Sequence, residues 1–167
     1  MLTGIVIKPL KRVPDERGSF TEVFRKDWKD LLDSDVAVQA NFSTTYPGII
    51  RAWHRHMRGQ VDYFLAVKGA IRIGVYDDKT GELDEIVSIA QNLQIVRVPG
   101  HYWHGFKAVG DGQAMLLYFT TNLYDPADPD EERRAWNDPK LIPKSVNGKK
   151  DDQRAGKPWD WNYPPHK

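Results

Sequence analysis

The sequence predicts an all-β barrel or sandwich with short peripheral helices, and three observations carry that reading. Short runs rich in β-branched and aromatic residues fill the middle of the chain, separated by glycine, proline or aspartate. Those runs recur at even spacing, as they do in sandwiches and barrels. Helical periodicity is confined to two short stretches. At 167 residues the chain fits one domain. The expectation is a single domain over 1–167 with a C-terminal tail, from about residue 147, that partly docks.

Taken in order, Gly4 to Pro9 is an apolar alternating segment in which Ile5 and Ile7, followed by Leu10, surround Lys8. Left alone it would be an unprotected strand edge. FRKDWKDLLDSD sets Phe24, Trp28, Leu31 and Leu32 at helical spacing. YFLAVKG, AIRIGVYD, EIVSIA, LQIVRVP and AMLLYFTTNLY read as strands, and Asp77 to Glu82 has the polar, glycine-containing composition of a hairpin loop between two of them. DPADPDEERRAW suggests a short acidic-capped helix starting near Asp130. The tail is polar and proline-rich, yet carries two tryptophans and a tyrosine that are costly to leave in water.

Composition narrows the function. Basic and acidic side chains number 24 and 23, so no overall field favours nucleic acid or an anionic membrane, and an anion must be bound locally. The absence of cysteine removes disulfides, thiolate metal sites and a cysteine nucleophile. The N-terminus lacks the long apolar stretch of a signal peptide, and no run approaches the roughly 20 apolar residues that span a bilayer. A soluble, cytoplasmic protein with no nucleic-acid or membrane partner is expected.

The chemistry concentrates in two segments. In Gly48 to His56, period two puts Ile50, Ala52, His54 and His56 on one face of a strand, with Arg51, Trp53 and Arg55 on the other. Gln60 and Asp62 follow closely. In Pro99 to Phe106, a proline-glycine turn leads into His101 and His104, so four of the five histidines fall in two clusters. A lone histidine is more often structural than functional. A His-x-His strand, an acid or amide just beyond it and a distant histidine after a proline turn form the pattern by which cupins build a site in a barrel mouth.

The resemblance then becomes narrower. Asp15 to Glu22, Gln39 to Ser43, Gly48 to His54, Pro99 to Phe106, Leu117 to Asn122 and Trp136 to Pro139 occur in the order and approximate spacing of the dTDP-4-dehydrorhamnose 3,5-epimerase family. The match runs from about Gly4 to Asp152. The resemblance implies a cupin-type double-stranded β-helix, or jelly-roll barrel, that dimerises. It also implies an isomerase that inverts C3, C5 or both in a dTDP-4-keto-6-deoxy-hexose during deoxysugar and polysaccharide synthesis, with no cofactor and no metal. On this resemblance His54 is the catalytic base, Tyr118 the opposing acid and Asp151 the acidic partner of His54, with Asp152 one residue of slippage away. Arg17, Glu22, Gln39, Asn41, Arg51, His104 and Tyr124 match residues that hold the nucleotide sugar. The dimer is expected to use the Gly4 to Pro9 strand to extend a partner's sheet.

Two departures from the family bear on the chemistry. His56 stands where the family has an amide, and Asp62 stands where the family has the lysine that stabilises the enolate. A carboxylate cannot supply that positive charge unless it is neutralised, paired or metal-bound. A second class is therefore open, a metal-dependent cupin isomerase or dioxygenase using His54, His56, Asp62 or Gln60, and His104. A third is a sugar-binding cupin without catalysis.

Overall fold

The computed structural model describes residues 1–164; positions 165–167, the end of the tail, lie outside the described residues. In chain order the elements are β1 (Val6–Pro9), β2 (Arg12–Asp15), β3 (Gly18–Thr21), the one-turn α1 (Lys29–Leu32), β4 (Gln39–Thr45), β5 (Ile50–Arg55), β6 (Val61–Lys68), β7 (Ala70–Tyr76), β8 (Glu82–Ile89), β9 (Gln94–Pro99), β10 (Trp103–Val109), β11 (Ala114–Thr120), β12 (Glu132–Arg133) and β13 (Ser145–Val146). One sheet runs β1-β9-β6-β11-β4 and the other β12-β5-β10-β7-β8-β13, with β2 and β3 as a separate hairpin. Strand neighbours are antiparallel except β13 beside β8. The architecture is the expected jelly roll of the cupin type.

Local chemistry explains the main turns. Gly69 takes φ 68° between β6 and β7, and a Cβ there would lie 2.7 Å from the Gln113 carbonyl oxygen. Only glycine accepts both conditions without a shift. Between β7 and β8 the Asp77 carbonyl accepts from the Gly81 N–H at 2.8 Å and the Asp77 carboxylate caps Lys79 and Thr80, closing the expected hairpin loop.

The interior lies between the two sheets. Phe64, Ala66, Val96, Val98 and Leu116 from one meet Ile71, Ile73, Val75, Ile86 and Phe106 from the other in one buried cluster. Each such side chain contributes about 1.5–3 kcal/mol on leaving water. On the outer face of the first sheet, Leu31 and Leu32 of α1 cover Val61, Tyr63 and Ile95. Strand β6 is therefore apolar on both faces, and Val61 to Ala66 are all buried, with Asp62 the one charged member. On the outer face of the second sheet, Trp159 and Trp161 of the tail pack with Trp53, Trp103, Leu83 and Leu141.

Two local expectations are corrected. The helix expected near Asp130 is strand β12, paired with β5, because the Asp130 carboxylate accepts the Met57 and Arg58 backbone N–H groups instead of capping a helix. Trp53 and Arg134 then exchange backbone hydrogen bonds at 3.2 and 3.0 Å. The helix expected from Phe24 to Asp35 shrinks to one turn, Lys29–Leu32, and Phe24 lies outside it, stacked on Phe119 of β11. Strand β1 is the edge strand of the first sheet: Val6 to Pro9 pair with Gln94 to Arg97 of β9, and among the described residues no strand pairs with the other side of β1.

Candidate active site

The mouth of the barrel is shaped by a bulge in β5. His104 of β10 faces His54, but Phe106 faces Arg51, so β5 carries one extra residue across this interval. An extra residue in one strand rotates the side chains beyond it. Arg51 is thereby brought to the His54 side, against the simple alternation that would turn it away. There its Nε donates to the Thr45 hydroxyl at 3.1 Å. Gly105 makes room for the bulge: a Cβ at this position would lie 2.4 Å from the Ala52 Cβ and 2.6 Å from the Arg51 carbonyl oxygen.

Below the mouth, three strands deliver three histidines and one carboxylate to one point. His54 comes from β5, His56 from just beyond it, Asp62 from β6 and His104 from β10, and their ligating atoms all lie within 4.8 Å of one another. The Asp62 Oδ2 is 3.0 Å from His104 Nε2 and 3.4 Å from His56 Nε2. The far nitrogens are also engaged: His56 Nδ1 donates to the Asp130 carbonyl at 2.5 Å and His104 Nδ1 donates to the Tyr102 carbonyl at 2.9 Å. The Gln60 amide donates to the second Asp62 oxygen at 2.8 Å.

The electrostatics follow from burial. The carboxylate of Asp62 and the His104 ring are almost wholly out of water. Burial acts against the Asp62 charge, but the contacts with His104 and His56 outweigh it and hold the carboxyl well below the usual carboxylate range. Burial, and after it the His104 charge, hold the His54 imidazolium well below the histidine range, against the pull of Asp62. Near neutral pH the His54 imidazole is therefore a neutral ring with a free electron pair. Burial and then the Asp62 charge push the Tyr118 phenol up, so it keeps its proton.

A cleft of about 560 Å³ opens above this cluster, a size that suits a small-molecule ligand. His54, Tyr118, Gln39, Asn41, Arg51 and Tyr124 all border it. Gln39 and Asn41 face inward on β4, alternating with exposed Ala40 and Phe42, and are joined at 2.8 Å. The Gln39 side chain also accepts the Tyr124 N–H at 2.9 Å. His104 lies beneath the floor. Arg133 and Arg134, which the sequence reading placed in a helix, also line the cleft. Their only signal in sequence is a basic pair within ERRAW.

Three residues proposed from the sequence are elsewhere. Arg17 and Glu22 belong to the exposed hairpin region, where Asp15 and Arg25 take their charges at 2.6 and 2.7 Å. Asp151 is exposed on a turn outside the cleft walls, and Asp152 beside it bonds Arg154 at 2.9 Å. The carboxylate that reaches the histidines is Asp62, from the opposite sheet.

With this geometry, comparison with known proteins becomes informative. Residues 13–132 match the family described as the polysaccharide biosynthesis C-terminal domain. The chain belongs to that family. It is 47% identical over 135 residues to a Haloferax volcanii protein named "Probable low-salt glycan biosynthesis epimerase Agl13", covering 77% of this chain and 85% of that one. It is 35% identical over 143 residues to the spore coat polysaccharide biosynthesis protein SpsL of Bacillus subtilis, covering 83% and 92%. Among solved structures, the rmlC epimerase of Mycobacterium tuberculosis superposes with a TM-score of 0.73 at 22% identity, over 94% of this chain and 84% of that one. The dTDP-6-deoxy-D-glucose-3,5-epimerase RmlC of Legionella pneumophila, solved with dTDP-4-keto-L-rhamnose, gives 0.73 at 24% identity, over 89% and 86%. At these identities the structural likeness speaks for the fold. No helix among the described residues is long and apolar enough to cross a membrane.

Proposed function

We propose that this chain is a nucleotide-sugar epimerase that inverts C3, C5 or both beside the C4 ketone of a dTDP-4-keto-6-deoxy-hexose, in the synthesis of a deoxysugar-containing polysaccharide. The observation that carries the reading is that His54 and Tyr118 border one cleft from opposite sheets. This occurs in a chain 47% identical to a protein named as a glycan biosynthesis epimerase.

The reaction asks for three things: a base for a proton α to a ketone, stabilisation of the enolate oxygen, and an acid on the other face. His54 supplies the first. Its ring is neutral, and no hydrogen bond ties either of its nitrogens among the described residues, so an electron pair is available to the carbon-bound proton. As the C–H bond breaks, its electrons move onto the C4 oxygen and the proton passes to the imidazole. Tyr118 supplies the acid by giving its phenolic proton to the same carbon from the opposite side, which inverts it. Solvent then exchanges both protons, so the sugar acquires solvent hydrogen at each inverted carbon.

Arg51, Arg133 and Arg134 at the rim suit the diphosphate, because guanidinium groups fork onto phosphate oxygens and keep their charge at any working pH. The proposal includes a homodimer in the cytoplasm. The β2–β3 hairpin with Val13 and Phe20 exposed, and the free β4 edge with Phe42 exposed, support a surface that a second copy covers. A monomeric mass at micromolar concentration would remove the dimer from the account. The activity itself is tested by incubating the protein with dTDP-4-keto-6-deoxyglucose in deuterium oxide and reading deuterium at the carbons flanking the ketone.

A further inference from the structure

We propose that the Arg133 guanidinium stabilises the enolate, donating a hydrogen bond to the sugar C4 oxygen as His54 removes the proton on the neighbouring carbon. This rests on the epimerase reading and fills the place that reading leaves open. His54 is the base and Tyr118 the acid, but neither supplies positive charge to the ketone oxygen. Asp62 cannot supply it either. Its oxygens are engaged beneath the floor, by His104 Nε2 at 3.0 Å, His56 Nε2 at 3.4 Å and the Gln60 amide at 2.8 Å. No lysine borders the cleft among the described residues, so the permanent cations at hand are Arg51, Arg133 and Arg134.

Strand pairing separates these three. Arg133 of β12 lies directly across from His54, while Arg134 exchanges backbone hydrogen bonds with Trp53 at 3.2 and 3.0 Å. Opposed residues of an antiparallel pair project to the same side of the sheet. Arg133 therefore shares the cleft face with the base. Arg134 turns to the Trp53 face, where it lies 4.1 Å from the centroid of the Trp103 ring and 3.5 Å from the Asp78 carboxylate. Arg51 stands farther along β5, and its Nε and Nη2 donate to the Thr45 hydroxyl and the Thr44 carbonyl at the end of β4. That position leaves Arg51 for the diphosphate.

Arg133 also has donors to spare. One nitrogen bonds Glu131 at 2.6 Å, and the side chain is 74% exposed, so a ligand can reach the rest of the fork. Glu131 borders the same cleft and fixes the direction of the guanidinium. Base and acid each feel one end of this ion pair. Burial and then the His104 charge do most to keep the His54 ring neutral, and Arg133 adds to them. Burial and then the Asp62 charge do most to keep the proton on Tyr118, and Glu131 adds to them. As the C–H electrons move onto the C4 oxygen, the Arg133 N–H tightens on that oxygen and keeps its own proton. A seated sugar displaces water from the guanidinium, which strengthens the contact.

The test compares full-length wild-type, Arg133→Met and Arg133→Lys protein. It reads deuterium exchange into saturating dTDP-4-keto-6-deoxyglucose by NMR and dTDP affinity by titration calorimetry. Methionine keeps the aliphatic stem, so both variants should melt within about 1 °C of the wild type. Exchange should be about 100- to 1,000-fold slower in Arg133→Met, the loss usual for one oxyanion donor. Arg133→Lys should recover about tenfold of that loss, because it restores the charge without the fork. Affinity for dTDP should stay within about twofold in both, since the interaction belongs to the transition state. Undiminished exchange in Arg133→Met would overturn the assignment. So would a fall in dTDP affinity of about ten- to hundredfold with saturated exchange unchanged, which would give Arg133 to the diphosphate. Both outcomes leave the epimerase reading intact, because the wild type still exchanges. A wild type without exchange would end that reading, and the role of Arg133 with it.

Discussion

Replacing Gly105 with alanine should disturb the β5 bulge and, through it, the grip on the nucleotide. The added Cβ would stand 2.4 Å from the Ala52 Cβ, 2.6 Å from the Arg51 carbonyl oxygen and 2.7 Å from the Ala52 Cα, all parts of a neighbouring strand rather than flexible side-chain ends. Relief therefore requires β5 to move. Overpacking of this kind costs about 1–3 kcal/mol. For a chain of this size each kcal/mol lowers the melting temperature by about 2–4 °C, so a fall of about 2–12 °C is expected by calorimetry. Arg51 sits on the displaced segment, and losing a hydrogen bond from a charged group costs about 1.5–3 kcal/mol. The affinity for dTDP should then drop about ten- to hundredfold by titration calorimetry. An unchanged melting temperature together with unchanged dTDP affinity would refute the link between the bulge, Arg51 and the cleft.

Other outcomes follow from the same geometry. Arg51→Ala should weaken dTDP binding about ten- to hundredfold while leaving the melting temperature within about 1 °C, since an exposed rim charge contributes little to folding; equal affinity would remove Arg51 from the anion site. Tyr118→Phe should slow epimerisation about 100- to 10,000-fold, with deuterium exchange less affected because the base is intact, as read by NMR; undiminished epimerisation would discard the phenol as acid. Trp161→Ala should destabilise the protein by about 3–5 kcal/mol in urea unfolding, because a wholly buried indole leaves a cavity between the tail and the second sheet. A loss below about 1 kcal/mol would mean that the tail does not staple that sheet in solution.

Much of the framework was legible because alternation and β-branched runs encode strands directly. β6 through β9 and β11 emerged from such runs, and the Asp77 to Glu82 loop from its turn residues. The stretch after Asp125 was misread because aspartate before ERRAW resembles a helix start, whereas its carboxylate satisfies backbone donors of a distant loop. Such a nonlocal partner leaves no local trace. The bulge in β5 was equally hidden: period two sent Arg51 away from His54, and only Gly105, on another strand, marks the place where it turns back.

The site was half legible. Two histidines two residues apart and a third beyond a proline-glycine turn declared a cluster, and Asp62 stood out because a carboxylate was unexpected at its position. Asp151 was chosen from a Lys150-Asp151-Asp152 run in which chain position alone cannot say which side chain reaches inward. Folding engages its neighbour Asp152 with Arg154 and brings Asp62 under the histidines from the opposite sheet. Arg17 and Glu22 illustrate the same limit, since nearby Asp15 and Arg25 meet their charges first.

The account turns on His54 as the base, and the most direct measurement is deuterium incorporation from heavy water into dTDP-4-keto-6-deoxyglucose, followed by NMR for wild-type and His54→Asn protein. The expected result is enzyme-dependent deuterium at one or both carbons beside the ketone in the wild type. Exchange should be about 100- to 10,000-fold slower in His54→Asn, at nearly unchanged dTDP affinity. Full exchange by His54→Asn, or none by the wild type, would contradict the account.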